Sequence, residues 1–431
     1  MDIFGVLTMI GGLALFLYGM HLMGDGLSNA SGGRLEKILE KLTSNPLKAV
    51  LLGAGVTAVI QSSSATTVMV VGFVNSGVMK LGQAVNIIMG ANIGTTITSW
   101  ILSLSGIESS NIFMKMLKPT SFSPILAIIG VAFLMFSKKE KKKDIGMILV
   151  GFAILMTGMD TMSGAVKPLA DVPEFTNILL MFSNPILGMV AGAVLTAVIQ
   201  SSSASVGILQ ALCVTGAVSY STALPIIMGQ NIGTCVTALL SGIGASKNAR
   251  RASLVHLYFN LIGTVVFMVI FYILNAIIGF PFMATAANGA GIAVIHTVFN
   301  VCATILLLPF AKFLEKLACL TIKDDVVEVV ETQADKDFRL LDVRFLDKPG
   351  LAVEQSRQVA RNMAELSKEA FFLSMELVSE YNEEKAERVK FLENETNLSS
   401  LPVCGFFSFL CELLINSELT ITSKISMSSN M

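Results

Sequence analysis

The chain has 431 residues, 53% of them hydrophobic and only 14% charged, with a mean hydropathy of +0.71. Soluble domains carry about 25% charged residues, so most of this chain does not face water; a nucleic-acid binder, a disulfide-stapled secreted domain and an ordinary cytosolic enzyme are excluded. The formal net charge of −1 is a cancellation, because residues 1–320 hold 18 Lys/Arg against 11 Asp/Glu while residues 321–431 hold 12 against 20.

The first apolar run, Ile3 to Met23, follows Asp2 rather than basic residues and has no small-residue cleavage site. It reads as a retained membrane segment and not as a signal peptide. Crossing a hydrocarbon core of ~30 Å takes about 20 apolar residues. Such spans are expected near 4–24, 82–105, 121–137, 145–167, 221–243, 252–278 and 288–311. Segments 46–79 and 185–218 differ, each being two short apolar arms around a polar break, Gln61-Ser62-Ser63-Ser64 and Gln200-Ser201-Ser202-Ser203. An arm of about 13 residues reaches only about 20 Å, so each segment is expected to be a re-entrant helical hairpin. Broken backbone at membrane depth needs surrounding protein or a water-filled cavity.

With both hairpins crossing zero times, one side collects Arg34, Lys37, Lys41, Lys48, Lys80, the cluster Lys138, Lys139, Lys141, Lys142 and Lys143, then Lys247, Arg250, Arg251, Lys312 and Lys316. Only Lys115, Lys118 and Lys167 fall on the other side. This positive-inside bias puts the N-terminus outside and the acidic tail in the cytoplasm. The cysteines Cys213, Cys235, Cys302, Cys319, Cys404 and Cys411 have no CxxC or Cys/His spacing, so neither a zinc site nor a disulfide framework is expected.

Shifted by 139 residues, the chain matches itself: Thr57 to Ala65 recurs identically as Thr196 to Ala204, and Ile87 to Thr98 recurs with few changes as Ile226 to Thr237. Because segment 4–24 and its partner 145–167 run in opposite senses, the duplication is inverted. The expected fold is an all-α polytopic membrane protein with two inverted-topology repeats, each carrying a re-entrant hairpin. Repeat 1 covers 1–144 with hairpin 46–79; repeat 2 covers 145–320 with hairpin 185–218 and two further helices. Residues 321–431 form a short helical cytoplasmic tail. Inverted repeats with broken helices meeting near the midplane are the pattern of secondary transporters.

A helix that restarts at Ser-Ser-Ser presents free N–H groups to an anion, and the carbonyl end before the break suits a small cation. No Lys, Arg, Asp or Glu occurs in 57–78, 87–98, 196–217 or 226–237. A multiply charged anion there needs co-bound cations. Gly90 to Thr95 lacks the lysine and preceding strand of a phosphate-binding loop. His256 and His296 each open an H-x-x-F-N pattern and are expected to hydrogen-bond between helices; Trp100 is expected to serve packing; Asp25 and Asp160 sit near helix ends. No nucleophile–base pair can be assembled, so the chain is not expected to be an enzyme or to hold a cofactor.

With both Q-S-S-S-A motifs and both G-x-N-I-G-T motifs in order, residues 1–320 resemble the type II sodium-dependent phosphate cotransporters of the bacterial branch. The resemblance implies symport of inorganic phosphate into the cell with sodium as coupling ion, in a bacterial plasma membrane. It assigns phosphate to Ser62, Ser63, Ser64, Ser201, Ser202 and Ser203. Sodium falls to Gln61, Thr66, Asn92, Thr95, Gln200, Asn231 and Thr234. The copies differ where Thr67, Thr96 and Ala91 face Val206, Cys235 and Gln230, so equivalent positions do not all carry equivalent ligands. Residues 350–397 resemble the start of a helical phosphate-uptake regulator (PhoU-like) domain; the likeness fades near Asn397, before an apolar stretch 401–415 and a Ser-rich end, and a shortened or altered tail is expected. The competing readings are a symporter for another small anion such as sulfate or a carboxylate, an anion channel, and a membrane sensor. The bilayer is the expected partner, and the oligomeric state stays open, a homodimer being one option.

Overall fold

The computed structural model describes residues 3–31, 45–106, 119–323, 332–341 and 349–400. Arg34, Lys37, Lys41, Lys115, Lys118 and the stretches 401–415 and 420–431 lie outside the described residues. Two compact units emerge, Met1–Val71 with Leu81–Ile322, and Gly72–Lys80 with Lys323–Met431. Among the described residues all regular elements are helical.

In chain order the helices up to the fifth are α1 (Ile3–Ser31), α2 (Pro46–Ile60), α3 (Ser63–Asn75), α4 (Leu81–Ser103) and α5 (Pro119–Phe136). Then come α6 (Glu140–Val166), α7 (Pro173–Met181), α8 (Pro185–Ile199), α9 (Ser202–Cys213) and α10 (Tyr220–Gly233). The first unit closes with α11 (Cys235–Ser241), α12 (Lys247–Ile278), α13 (Gly289–Leu307) and α14 (Ala311–Thr321). Among the described residues six stretches are long and apolar enough to cross a membrane: Ile3–Ala30, Leu81–Ser103, Glu140–Asp171, Tyr220–Ser241, Lys247–Ile278 and Gly289–Thr321. These fall on six of the seven expected spans. The seventh, 121–137, is one of the shorter apolar helices, with Pro124 inside and a lysine cluster closing the apolar run. Nothing in the sequence pattern marks 173–181, yet α7 forms there behind Pro173 and meets α8 at 100°.

The apolar faces point both ways. Leu261, Val265, Val269, Ile273 and Ile277 recur every fourth residue along α12 and are all exposed. Exposed apolar faces of this extent are foreign to water-soluble monomers. Inward, Phe16, Leu155, Met156, Met159 and Met162 form one buried cluster, and Val255, Phe259, Phe299, Met228 and Leu224 belong to another.

Glycines set the closest helix contacts. Along α1 and α6 the facing pairs are Gly12 with Gly158 and Gly19 with Gly151, so the two helices run antiparallel. A Cβ at any of these four positions would press into backbone of the other helix. Gly53 and Gly90 bring α2 against α4, with Val50 beside Gly90 and Ala54 and Thr57 beside Gly94. Rising numbers match rising numbers, so α2 and α4 run parallel and the intervening chain reverses after α2. Gly192, Gly229 and Gly233 repeat the arrangement between α8 and α10.

In the second unit, α15 (Gln333–Leu340) starts in a capping box between Thr332 and Asp335. It is followed by α16 (Pro349–Ser379) and a helix over 383–400. Buried Asp337 gathers them: Asn362 Nδ2 donates to its Oδ1 at 2.7 Å and Ser399 Oγ to its Oδ2 at 3.2 Å, while Ala334 N donates to Glu395 Oε2 at 2.9 Å. Arg388–Glu369 (2.8 Å) and Lys385–Glu376 (2.7 Å) are exposed pairs, screened by water and weak as a class.

Candidate functional site

Each broken helix is built from the same local parts. Asn45 Oδ1 accepts from Leu47 N (2.9 Å) and Lys48 N (3.2 Å), capping α2 behind Pro46. Asn184 Oδ1 accepts from Ile186 N (3.0 Å) and Leu187 N (3.2 Å), capping α8 behind Pro185. Asn caps and a first-turn proline satisfy or remove orphan N–H groups. Each first arm ends on a glutamine in the left-handed region, Gln61 at φ 59°, ψ 21° and Gln200 at φ 57°, ψ 22°. They are the only non-glycine residues with positive φ among the described residues. Such a residue costs about 1–2 kcal/mol, and strain of this kind clusters at functional sites.

The second arm then starts afresh. Ser62 Oγ accepts from Ala65 N at 3.1 Å and Ser201 Oγ from Ala204 N at 3.2 Å, so both serines are N-caps that keep their hydroxyl protons for donation. Ser63 and Ser64, and Ser202 and Ser203, occupy the first helical positions, where N–H groups lack an intrahelical acceptor. Ser63, Ser202 and Ser203 are buried and Ser64 is half-buried. Each helix end concentrates about half a positive charge, with no charged side chain in either repeated motif.

The predicted sodium residues present oxygens in a common way. Asn92 Nδ2 donates to Ile88 O (2.8 Å) and Asn231 Nδ2 to Ile227 O (2.9 Å), which turns each Oδ1 outward from its own helix. Thr95 Oγ1 donates to Ala91 O (3.1 Å) and Thr234 Oγ1 to Gln230 O (2.9 Å), leaving their lone pairs available. Thr66 Oγ1 donates to Ser62 O at 3.1 Å and accepts from Thr57 Oγ1 at 3.0 Å. Gln61 is spoken for at both ends, its Nε2 donating to Ala58 O and its Oε1 accepting from Thr98 Oγ1 at 2.9 Å. Gln200, by contrast, is exposed.

Among the described residues no hydrogen bond joins one serine run directly to the other. The link between the copies runs through α4, which packs on α2 of its own half and on α9 and α13 from the other. Ser99, Gln210 and His296 make that link, while Thr57 and Thr98 tie the first tip together, and none of the five has a role in the sequence-based site. Thr57 and Thr98 could have been found, since both recur in the repeat as Thr196 and Thr237; the other three have no repeated signal beyond the H-x-x-F-N histidine. His296 does bridge helices, its Nδ1 at 2.8 Å from Ser99 Oγ and its Nε2 at 3.4 Å from Asn231 Oδ1. Both ring nitrogens of His256 are buried without a partner. Trp100, expected only to pack, donates to Thr297 Oγ1 at 3.0 Å.

Six membrane-length helical stretches among the described residues, several with exposed apolar faces, define a multi-pass membrane protein. The Na+/Pi-cotransporter family model matches residues 15–164 and 156–289, and the chain belongs to that family. It is 27% identical over 351 residues to YjbB of Escherichia coli (strain K12), provisionally named an inorganic phosphate export protein, covering 81% of this chain and 61% of that one. It is 28% identical over 311 residues to YqeW of Bacillus subtilis (strain 168), covering 72% and 96%. A 98-residue stretch is 36% identical to sodium-dependent phosphate transport protein 2A of Rattus norvegicus, 22% of this chain and 15% of that one. The chain thus spans less than two thirds of the length of YjbB. No solved structure matches it.

Proposed function

We propose that the chain is a secondary active transporter that carries inorganic phosphate into the cell together with sodium. The observation that carries this reading is the duplicated break: two helix N-termini, capped by Ser62 and Ser201, behind two left-handed glutamines, in motifs that carry no charged side chain. Donors without a salt bridge bind an oxyanion and still release it, and its charge at membrane depth calls for accompanying cations. Phosphate is assigned to Ser62, Ser63, Ser64, Ser201, Ser202 and Ser203. Sodium is assigned to the oxygens of Thr66, Asn92, Thr95, Asn231 and Thr234 and to the glutamines Gln61 and Gln200.

Antiparallel packing of α1 on α6, each the first helix of its copy, supports an inverted relation between repeats 1–144 and 145–320. Parallel packing of α2 on α4, and of α8 on α10, supports hairpins that enter and leave on one side. The positive-inside count supports an N-terminus outside and a tail, from 321, in the cytoplasm of a bacterial cell. For the tail we propose correspondence with the first helices of a PhoU-like domain. A second reading, phosphate export, is favoured by the likeness to YjbB.

The test is labelled phosphate uptake into proteoliposomes under an imposed sodium gradient, with lithium, potassium and competing sulfate as controls. Uptake that follows the sodium gradient and resists sulfate is expected. Uptake indifferent to sodium would sink the symport reading, and accumulation only against the sodium gradient would favour export.

A further inference from the structure

Beyond the repeated motifs lies a row of buried polar groups that the duplication does not explain. Gln210 sits eight residues beyond Ser202 on α9, about 12 Å along the helix, where the other copy has Val71. It is buried, and its Nε2 donates to Ser99 O (3.1 Å) on α4 and to Gly289 O (3.3 Å) at the start of α13. Its Oε1 is buried without a hydrogen bond. Gln210 is one of the residues lining a cavity of about 530 Å³, together with Ser105, Asp160, Ser163, Lys167, Cys213 and Asn288. Gly289 keeps the approach open, since a Cβ there would stand 3.5 Å from Oε1.

From Gln210 the row continues inward. Asn231 Nδ2 is committed to Ile227 O, so its Oδ1 accepts; His296 therefore carries its proton on Nε2, and Nδ1 accepts from Ser99 Oγ. This tautomer follows from the hydrogen-bond network. Ser99 in turn lies one helical turn beyond Thr95 on α4. The row's sequence neighbours Leu102, Leu209, Ala211, Ile292 and Phe299 are all buried. Burying a polar group costs a few kcal/mol unless it is satisfied, and an intramembrane polar series that ends in a cavity marks an ion path by default.

We propose that this cavity is the mouth through which sodium reaches Asn231, and that Gln210 Oε1 is the first buried oxygen the ion meets. The inference rests on the sodium-coupled reading above. Carbonyl, hydroxyl and amide oxygens are the ligands a hard monovalent cation accepts. The lining carries one charge of each sign, Asp160 and Lys167.

Two measurements test it on the full chain in proteoliposomes. In Gln210→Leu the sodium concentration for half-maximal uptake is expected to rise about tenfold or more, the scale of a lost metal-shell partner. The phosphate dependence at saturating sodium stays within about twofold, and Gln210→Glu restores sodium sensitivity. In Ser163→Cys a small cationic methanethiosulfonate is expected to stop uptake, and added sodium, not potassium, to slow the modification. Sodium and phosphate dependences that move together, or a Ser163→Cys protein that transports unchanged after complete labelling, would overturn the proposal. If Gln210→Leu fails to insert, the Ser163→Cys result decides alone. Wild-type uptake that ignores sodium removes the symport reading itself; sodium-driven wild-type uptake with both variants behaving like wild type removes only the entry route.

Discussion

The two hairpin tips share nine identical residues and glutamine backbone angles within a few degrees, yet their side chains live differently. In the first tip Thr98 holds Gln61 and Thr57 holds Thr66; Gln61 is only 5% exposed. In the second, Gln200 is exposed, and the hydroxyls of Thr196, Ser205 and Thr237 are buried without partners. The contrast separates two causes. Local sequence sets the backbone, through the Asn cap, the first-turn proline and the left-handed break, while the neighbours of each tip set which hydroxyls are engaged. One sequence thus gives a tip with engaged hydroxyls and a tip with unengaged ones.

The largest expected effect attacks what the tips share. Gly90→Val and Gly229→Val should each abolish recovery of monodisperse protein, because a side chain there collides with the carbonyls of Val50 and Met189; overpacking alone costs about 1–3 kcal/mol and backbone overlap more. If only one of the two tolerated valine, the shared framework would be wrong. Next come Ser63→Ala and Ser202→Ala. Each should lower phosphate uptake about tenfold, roughly 1.4 kcal/mol, with insertion unchanged by detergent-extracted yield, and unequal losses would mean the anion sits closer to one tip.

Thr98→Val and Thr237→Val then separate the tips. Losing the Gln61 partner should cost about 1 kcal/mol, whereas removing an unpartnered hydroxyl should be neutral or slightly stabilising, read as the thermal midpoint in detergent. The smallest effect compares Gln200→Gly with Gln61→Gly. Glycine relieves the left-handed strain at both positions, by up to about 1 kcal/mol, but at 61 it also forfeits two hydrogen bonds; a midpoint that rises at 61 and falls at 200 would invert the comparison.

Much of the fold was legible because its signals are long and repeated. Apolar runs of membrane length mark six spans, and the recurring Gln-Ser-Ser-Ser marks both breaks. Around the candidate site the helix restarts were legible, since Ser62 and Ser201 cap new helices right after the repeated breaks. What stayed hidden rests on distant partners. Ser99 meets His296 across 197 residues and Gln210 meets Ser99 across 111, and no local pattern records such pairings. Helix α7 was hidden for another reason: its nine residues are too few for a periodic signal. The different states of Gln61 and Gln200 could not be read either, because identical sequence carries no mark of its surroundings.

The glycine contact between α1 and α6 has a property that its atoms do not announce. Shifted by the repeat length, Gly12 becomes Gly151 and Gly19 becomes Gly158, so the facing pairs Gly12–Gly158 and Gly19–Gly151 are one pair counted twice. Such a surface is its own complement, as in two-fold dimers. A chain with a single copy of the repeat would carry both sides of this seam, and two such chains, inserted in opposite senses, could close it without any new residue.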